Sequence, residues 1–154
     1  MGIPALNLHE RFTYRHYRTW PDEERWELID GMAWMMSAPS IWHQELQARI
    51  FTDLRNFLKG KACRAFVAPV DVLIPRAEED DDEVDSVVQP DIVVFCDSSR
   101  IRTDSARGAP DLAVEILSPS TSNVEGSPET RDQNEKFRLY ERAGVREYWV
   151  VDPA

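Results

Sequence analysis

The stretch Pro110-Asp111-Leu112-Ala113-Val114-Glu115-Ile116-Leu117 decides the fold of this chain, because it places a carboxylate inside an apolar strand. A second stretch, Pro90-Asp91-Ile92-Val93-Val94-Phe95, has the same character, with Asp91 at the start of its apolar run. Burying a carboxylate costs free energy unless something pairs with it. A divalent metal ion is the pairing partner that would also supply chemistry.

The two strands predict a metal site if their carboxylates meet. Side chains alternate between the two faces of a strand, so Asp111 and Glu115 share one face. If Asp91 on the neighbouring strand points to that side, its carboxylate can approach that of Glu115. Such a pair can hold Mg²⁺ or Mn²⁺ while waters and a substrate phosphate complete the coordination. The alternative is that both carboxylates cap loops or pair with Arg107 or Arg131.

Three further residues are candidates for the same site. Glu27 lies in an apolar strand, where it is either functional, an outward-facing residue or the partner of an arginine. Lys136 forms one stripe of a predicted helix with Gln133 and Tyr140, which indicates either a lysine reaching the carboxylates or an ordinary helix flank. His43, in the first turn of its helix, is either a phosphate or base contact or a surface residue.

The composition predicts one domain, residues 1–154, with a substantial core. The chain has 154 residues, of which 42% are hydrophobic. Its net charge of −10, from 28 acidic and 18 basic residues, argues against a broad basic surface for nucleic acid but does not exclude a nuclease. The acidic run Glu78–Glu83 is typical of a solvated, mobile loop. It lacks the ligand pattern of an EF-hand calcium loop.

Cysteine content and hydropathy predict a cytoplasmic protein. Cys63 and Cys96 are the only cysteines, and without a CxxC motif we expect two buried thiols in a reducing cytosol. No apolar stretch reaches 18 residues, which excludes a predicted membrane span. Residues 1–10 have no basic segment followed by an apolar core, so no secretion signal is expected.

The order of elements predicts an α/β fold with a mixed sheet and helices on its faces. Asp30-Gly31 between two apolar runs indicates a hairpin, and the final strand, helix and strand indicate a βαβ unit with a parallel pair. The predicted elements are a short helix from Thr13 toward Trp20, hairpin strands 26–29 and 32–36, a helix over 41–58 capped by Ser40, strands over 65–74, 87–95 and 112–117, a polar connection over 100–109, a loop over 118–130, a helix over 131–143 and a last strand over 146–151.

These motifs, in this order, resemble the Uma-two family of the PD-(D/E)XK restriction-endonuclease-like superfamily. The resemblance extends from about Thr13 to Pro153. It implies a central four-stranded mixed sheet flanked by helices and Mg²⁺-dependent hydrolysis of phosphodiester bonds. The segments that carry it are Glu27–Gly31, His43, Pro90–Val94, Pro110–Thr121, Asp132 with Lys136 and Tyr140, and Gly144–Pro153.

The resemblance also implies roles for individual residues. Asp91 matches the motif aspartate, Glu115 the acidic residue of the E-x-K element, and Glu27 the upstream glutamate. The position that should hold the lysine is Leu117, so the resemblance implies that Lys136 on the next helix has taken over its function. The resemblance therefore implies that Asp91 and Glu115 are the ligands of a Mg²⁺ or Mn²⁺ ion.

Leu117 in place of the motif lysine is one departure from the family pattern, and a second lies at the C-terminus. Family members usually continue beyond the point where this chain stops, at Ala154, which suggests truncation there. A last strand without a neighbour would favour pairing with a second copy, so a homodimer is an open alternative.

Three functions remain open from the sequence. The leading one is a metal-dependent endonuclease acting on DNA. A catalytically inert nuclease-fold module that binds a protein or nucleic-acid partner is the second, and a metal hydrolase of small phosphate esters is the third. Supporting phosphate contacts are expected from Arg100, Arg102, Arg107 and Arg131.

Overall fold

A computed structural model describes residues 10–118 and 131–153, and for residues 131–133 only the backbone is considered. No helix within these ranges has the length and apolar content needed to cross a membrane. A π-helical segment, Arg131–Lys136, leads directly into the last helix. The labelled elements are α1 (Tyr14–Tyr17), β1 (Trp26–Ile29), β2 (Met32–Met35), α2 (Ile41–Leu58), β3 (Arg64–Val67), β4 (Asp71–Leu73), β5 (Val87–Val88), β6 (Ile92–Phe95), β7 (Ser105–Arg107), β8 (Leu112–Ile116), α3 (Phe137–Ala143) and β9 (Glu147–Val151).

The strands form two sheets. One has five strands in the order β2-β1-β5-β4-β7, and the other has four in the order β3-β6-β8-β9. In the four-stranded sheet β8 and β9 are parallel, while the β3–β6 and β6–β8 pairs are antiparallel. This is the mixed sheet that the sequence predicted, and its parallel pair confirms the βαβ unit.

The hairpin and the long helix were predicted correctly. Asp30 and Gly31 have φ angles of 51° and 82°, the left-handed values that a tight two-residue hairpin turn needs. Helix α2 begins after Ser40, whose hydroxyl accepts a hydrogen bond from the His43 backbone N–H at 3.1 Å. That contact satisfies one of the free N–H groups of the first turn.

The four-stranded sheet is covered on both faces. Helix α2 packs on one face, where Ile92, Val94 and Val114 form a core cluster with Leu54. On the other face Leu139 of α3 joins a cluster that also contains residues of the five-stranded sheet. The odd positions of β8 therefore point toward α3 and the junction between the sheets.

Two predicted strands are wrong in the same way, because each is divided between the two sheets. The predicted strand 65–74 becomes β3 and β4, with a cis Ala68–Pro69 peptide bond between them. The predicted strand 87–95 becomes β5 and β6, and Pro90 lies between them. A proline has no N–H to donate to a strand ladder. The chain therefore crosses between the sheets at Pro90, and the next residue, Asp91, lies at the crossing.

The acidic run, predicted as a solvated loop, has exposed residues at Glu78, Asp80 and Glu83, and it also forms ion pairs with other parts of the fold. Asp81 forms ion pairs with Arg102 and Arg107. Burial raises the pKa of Asp81, but hydrogen bonds from Arg102 and Arg107 outweigh that effect and hold the pKa below its usual value. Asp82 pairs with Arg18. The predicted polar connection 100–109 also contains a strand, β7, parallel to β4.

The two cysteines form a disulfide, so the prediction of two buried thiols is wrong. Cys63 precedes β3 and Cys96 follows β6, and the two strands are neighbours. The sequence separation of 33 residues hid this proximity, which arises only when the sheet forms.

We expect the disulfide to stabilise the fold by restricting the unfolded chain. For a separation of 33 residues, the chain-entropy relation gives roughly 3 to 4 kcal/mol. The Cys63→Ser/Cys96→Ser double variant should lose about that much unfolding free energy in urea, and reductant should lower the wild-type value similarly while leaving the double variant unchanged. Two titratable thiols in the native, unreduced protein would contradict the bond.

Candidate active site

The sheet register brings Asp91 and Glu115 together. Val93 pairs with Ala113 and Ile92 with Val114 across the antiparallel β6–β8 pair, so one further step places Asp91 opposite Glu115. Asp91 also accepts a hydrogen bond at Oδ2 from the backbone N–H of Ile116 at 2.7 Å. Both carboxylates line a pocket of about 60 Å³, and both residues are less than 10% exposed.

Lys136 links two of the candidate carboxylates. Its Nζ lies 2.8 Å from Oε1 of Glu27 and 2.6 Å from Oε1 of Glu115. The relative exposures of Lys136 and Glu27 are both 0%. The three groups come from the five-stranded sheet, the four-stranded sheet and the π-helical segment. The ion pairs therefore join three parts of the fold, and Lys136 is a buried residue instead of a surface helix flank.

Neutral donors fix the same carboxylates. The Tyr140 hydroxyl donates to Oε1 of Glu115 at 3.2 Å, and the backbone N–H of Gln89 donates to Oε1 of Glu27 at 2.7 Å. Complete burial raises the pKa of Tyr140 well above its ordinary value. The phenol therefore keeps its proton at physiological pH and remains a hydrogen-bond donor.

Helix α2 holds Asp91 from the other side. His43 Nε2 lies 3.1 Å from Oδ1 of Asp91, and one turn later the Gln47 side-chain amide donates to the Asp91 carbonyl at 2.8 Å. His43 is 8% exposed, so it is a buried neighbour of the carboxylate. The Ser40 cap fixes the helix turn from which His43 projects.

The structure brings one charged residue to the pocket that the sequence analysis missed. Arg25 lines it together with Asp91, Glu115 and Lys136. Its Nε donates to Oε1 of Gln89 at 3.1 Å, while its buried Nη2 has no hydrogen-bond partner among the described residues. The available signal was a basic residue directly before the strand that carries Glu27, which is too common a pattern to single out.

Three of the arginines expected at the site, Arg100, Arg102 and Arg107, do not line this pocket. Arg102 and Arg107 are paired with Asp81, and Arg100 donates to the carbonyl of Ala109. The Arg131 side chain lies outside the described residues, as do the side chains of Asp132 and Gln133 and the whole of 119–130.

Asp111 lies at the opposite end of β8 from the pocket. Its Oδ2 accepts a hydrogen bond from the Cys96 backbone N–H at 2.7 Å, and Arg146 Nε is 3.9 Å from its Oδ1. Asp111 therefore caps the end of β6 and does not line the Asp91–Glu115 pocket.

The donor set of the pocket fits a hard divalent cation. Among the described residues, no group of three His, Cys, Asp or Glu side chains is arranged to hold a metal ion. Mg²⁺ needs no such group, because it is commonly bound by one or two carboxylates and completes its shell with waters and substrate phosphate oxygens. Asp91, Glu115 and Glu27 against Lys136 and Arg25 leave one formal negative charge, so carboxylates still outnumber cations around a bound ion.

Residues 14–154 match the model of the family described as "Uma2: Putative restriction endonuclease". This chain belongs to the Uma2 family. A curated relative, the uncharacterized protein slr1290 of Synechocystis sp., is 29% identical over 126 residues, which are 80% of this chain and 59% of the relative. The chain thus spans less than two thirds of the length of that relative.

A solved structure shares the fold of this Uma2 protein. It is the crystal structure of a "putative nuclease belonging to DUF820" from Anabaena variabilis, with a TM-score of 0.70 and 23% identity over 92% of this chain and 74% of the other. At that identity the similarity establishes the fold alone. It confirms the predicted restriction-endonuclease-like α/β class.

We expect the Lys136 ion pairs to show strong energetic coupling. Lys136→Met leaves two buried carboxylates facing each other and should cost about 3 to 5 kcal/mol of unfolding free energy. Adding Glu27→Gln removes one of those charges, so the double variant should be more stable than the sum of the single effects implies. Urea denaturation of the four proteins measures the coupling.

Lys59→Met is the matched control, because Lys59 lies exposed at the end of α2. It should change stability by no more than about 0.5 kcal/mol. Additivity of Lys136→Met and Glu27→Gln within about 0.5 kcal/mol would mean that the two side chains do not interact.

Proposed function

We propose that this protein is a metal-dependent endonuclease that hydrolyses phosphodiester bonds of DNA. The observation that carries the proposal is the placement of Asp91 opposite Glu115, with Lys136 Nζ bonded to Glu115, in one small pocket. Membership of the Uma2 family and the shared fold support a nuclease-like function. The metal ion and the DNA substrate are part of the proposal.

Asp91 and Glu115 would hold Mg²⁺ or Mn²⁺. When bound, such an ion polarises a phosphoryl oxygen and lowers the pKa of a coordinated water. Lys136 places a positive charge beside the same pocket, where it orients the attacking water or offsets charge developing on the phosphate. Glu27 holds that ammonium group through its 2.8 Å contact, and His43 fixes the orientation of Asp91.

The fold is compatible with a catalytic lysine at Lys136 in place of one at position 117. Leu117 is 6% exposed, and its backbone N–H bonds to Val151 of the neighbouring strand at 2.9 Å. A lysine at that position would replace a core side chain. Lys136 instead reaches Glu115 from the helical side of the sheet, so a positive group adjoins the carboxylate without a lysine in the strand.

The second candidate is an inert nuclease-fold module for a protein or nucleic-acid partner. The observation that favours it is the close pairing of Lys136 with two carboxylates, which ties up the charge that catalysis needs. A fold supports many functions, and family membership leaves this alternative open.

The proposed setting is the cytoplasm, with DNA as partner and a homodimer as the form that cleaves two strands. Among the described strands, β9 lies at one edge of its sheet, where a second copy could pair. The net charge of −10 limits non-specific attraction to DNA, so the phosphate contacts of the proposed complex are local. Disulfides are uncommon in cytosolic proteins, so the redox state of Cys63 and Cys96 in purified protein tests the compartment.

We expect wild-type protein to cleave DNA with Mg²⁺ or Mn²⁺ and to be inactive with EDTA. Asp91→Asn and Glu115→Gln remove metal-binding charge with little change of shape. Each variant should lower the cleavage rate by more than about 100-fold, because a lost metal ion removes several kcal/mol of transition-state stabilisation. Gel analysis of labelled single-stranded and duplex substrates measures the rates.

Asp111→Asn is the matched control, because it changes a carboxylate of the same strand region that does not line the pocket. It should cleave at about the wild-type rate. Equal activity of wild type, Asp91→Asn and Glu115→Gln would assign cleavage to a contaminant. Metal-independent DNA binding without cleavage would select the inert module.

A further inference from the structure

Arg25 separates the catalytic pocket from a second cavity. This cavity, here called the side pocket, has a volume of about 350 Å³ and is lined by Tyr17, Trp20, Trp26, Asp71 and Gln89, with Arg25 shared between the two cavities. The catalytic pocket holds only about 60 Å³. That volume suits an ion, a few waters or a phosphate group but not a nucleotide. Any larger part of a substrate must therefore lie outside it.

The side pocket has aromatic walls. Trp20 packs against Tyr17 and Trp26, with ring centroids 5.6 Å apart in both cases. Such mutual packing holds the rings in place before any ligand arrives. Rigid aromatic rings are the platforms on which proteins stack unpaired nucleobases, and every base has a face that can use them.

The polar edge of the side pocket presents an acceptor. Asp71 Oδ1 lies 2.7 Å from the Tyr17 hydroxyl and 2.8 Å from the Gln89 side-chain nitrogen. Burial and the neighbouring Asp71 charge raise the pKa of Tyr17 far above its ordinary value, so the phenol stays neutral. No hydrogen bond from a described residue reaches Oδ2 of Asp71, and this oxygen can accept from an N–H group of a ligand.

The charges around the side pocket indicate what enters it. Asp22, Glu24 and Asp104 line it in addition to Asp71, and among the described residues Arg25 is the only cation in its lining. A phosphate inside the pocket would be repelled. A neutral, flat group with hydrogen-bond donors would be accepted, because carboxylates accept from the amino and imino groups of bases.

Arg25 is placed to bind the phosphate between the two cavities. Its Nε is held by Gln89 at 3.1 Å, which fixes the guanidinium plane. Its Nη2 is buried and has no partner among the described residues, so one arm of the fork is left for a ligand. Guanidinium groups bind phosphate oxygens through such paired N–H donors.

We propose that the side pocket binds an unpaired nucleobase next to the phosphodiester in the catalytic pocket, with Arg25 contacting the phosphate. The position of that phosphodiester rests on the proposed function. A base inside a duplex is stacked and paired and must leave the helix to enter such a pocket. The substrate class is therefore single-stranded DNA, or a duplex with unpaired nucleotides.

The test is binding of labelled oligonucleotides by fluorescence anisotropy in Ca²⁺, a hard cation that carboxylates also bind. The probes are a short single strand of mixed sequence, the same strand with abasic sites, and the same strand in a blunt duplex. Wild type should bind the intact strand about 10-fold tighter than the abasic strand, as expected for loss of base stacking on an aromatic ring. The blunt duplex should bind as weakly as the abasic strand.

Trp20→Leu should remove the preference for the intact strand over the abasic strand, and Trp149→Leu is its matched control. Trp149 is 41% exposed on β9 and lines neither cavity. Asp71→Asn supplies an independent variant should Trp20→Leu fail to fold, because an asparagine oxygen can still accept from Tyr17 and Gln89. Its amide presents donors where the base needs an acceptor, so it should also weaken binding of the intact strand.

Equal binding of intact and abasic strands by wild type would overturn the proposal, as would an unchanged preference in both Trp20→Leu and Asp71→Asn, or no binding of any probe. Cleavage assays in Mg²⁺ on the same proteins separate this result from the proposed function. Binding that depends on Trp20 without cleavage would support the side pocket and refute the nuclease. Cleavage that does not depend on Trp20 or Asp71 would support the nuclease and refute the side pocket as a base-binding site.

Discussion

The structure depends on one buried cation. Lys136 Nζ lies between Glu27 and Glu115, and all three residues are nearly or completely inaccessible to solvent. Removing these charges from water is costly, and the cost is offset only while the three groups remain together. The fold must therefore bring the five-stranded sheet, the four-stranded sheet and the π-helical segment together at Lys136. The Asp91 carboxylate lies at the same place, where the chain crosses between the sheets. Asp91 and Glu115 line the pocket beside Lys136 and Arg25, and these two carboxylates are the groups suited to a divalent ion.

Part of this arrangement could be predicted from the sequence. Alternation along β8 and the apolar run beginning at Asp91 placed two carboxylates on neighbouring strands, and the register brings them opposite each other. Glu27 and Lys136 were candidates with alternatives left open, and only the resemblance to the family implied their roles, because nothing local shows that a helix lysine and a distant glutamate share a buried site. His43 was left open for the same reason. Its contact with Asp91 depends on how α2 packs on the sheet.

The errors have a common physical origin. Strand 87–95 appeared continuous because both of its halves are buried, and apolar periodicity cannot distinguish one long strand from two short strands in different sheets. The disulfide between Cys63 and Cys96 was missed because two cysteines far apart in sequence carry no signal of the pairing of β3 with β6. Three of the expected phosphate-binding arginines, Arg100, Arg102 and Arg107, bond to other groups, whereas Arg25 lines the pocket because the fold brings the start of β1 to Asp91 and Glu115.

The most direct test of the central claim is crystallographic. Crystals of the wild-type protein soaked in Mn²⁺ should show an anomalous scattering peak within coordination distance of both Asp91 and Glu115, at about 2.0 to 2.2 Å for a small hard cation. The peak should be absent from crystals of Asp91→Asn, while Lys136 should keep its contacts with Glu27 and Glu115 in both. An Mn²⁺ peak at other carboxylates, with none at this pocket even when a DNA strand is bound, would contradict the assignment of Asp91 and Glu115 as a metal site.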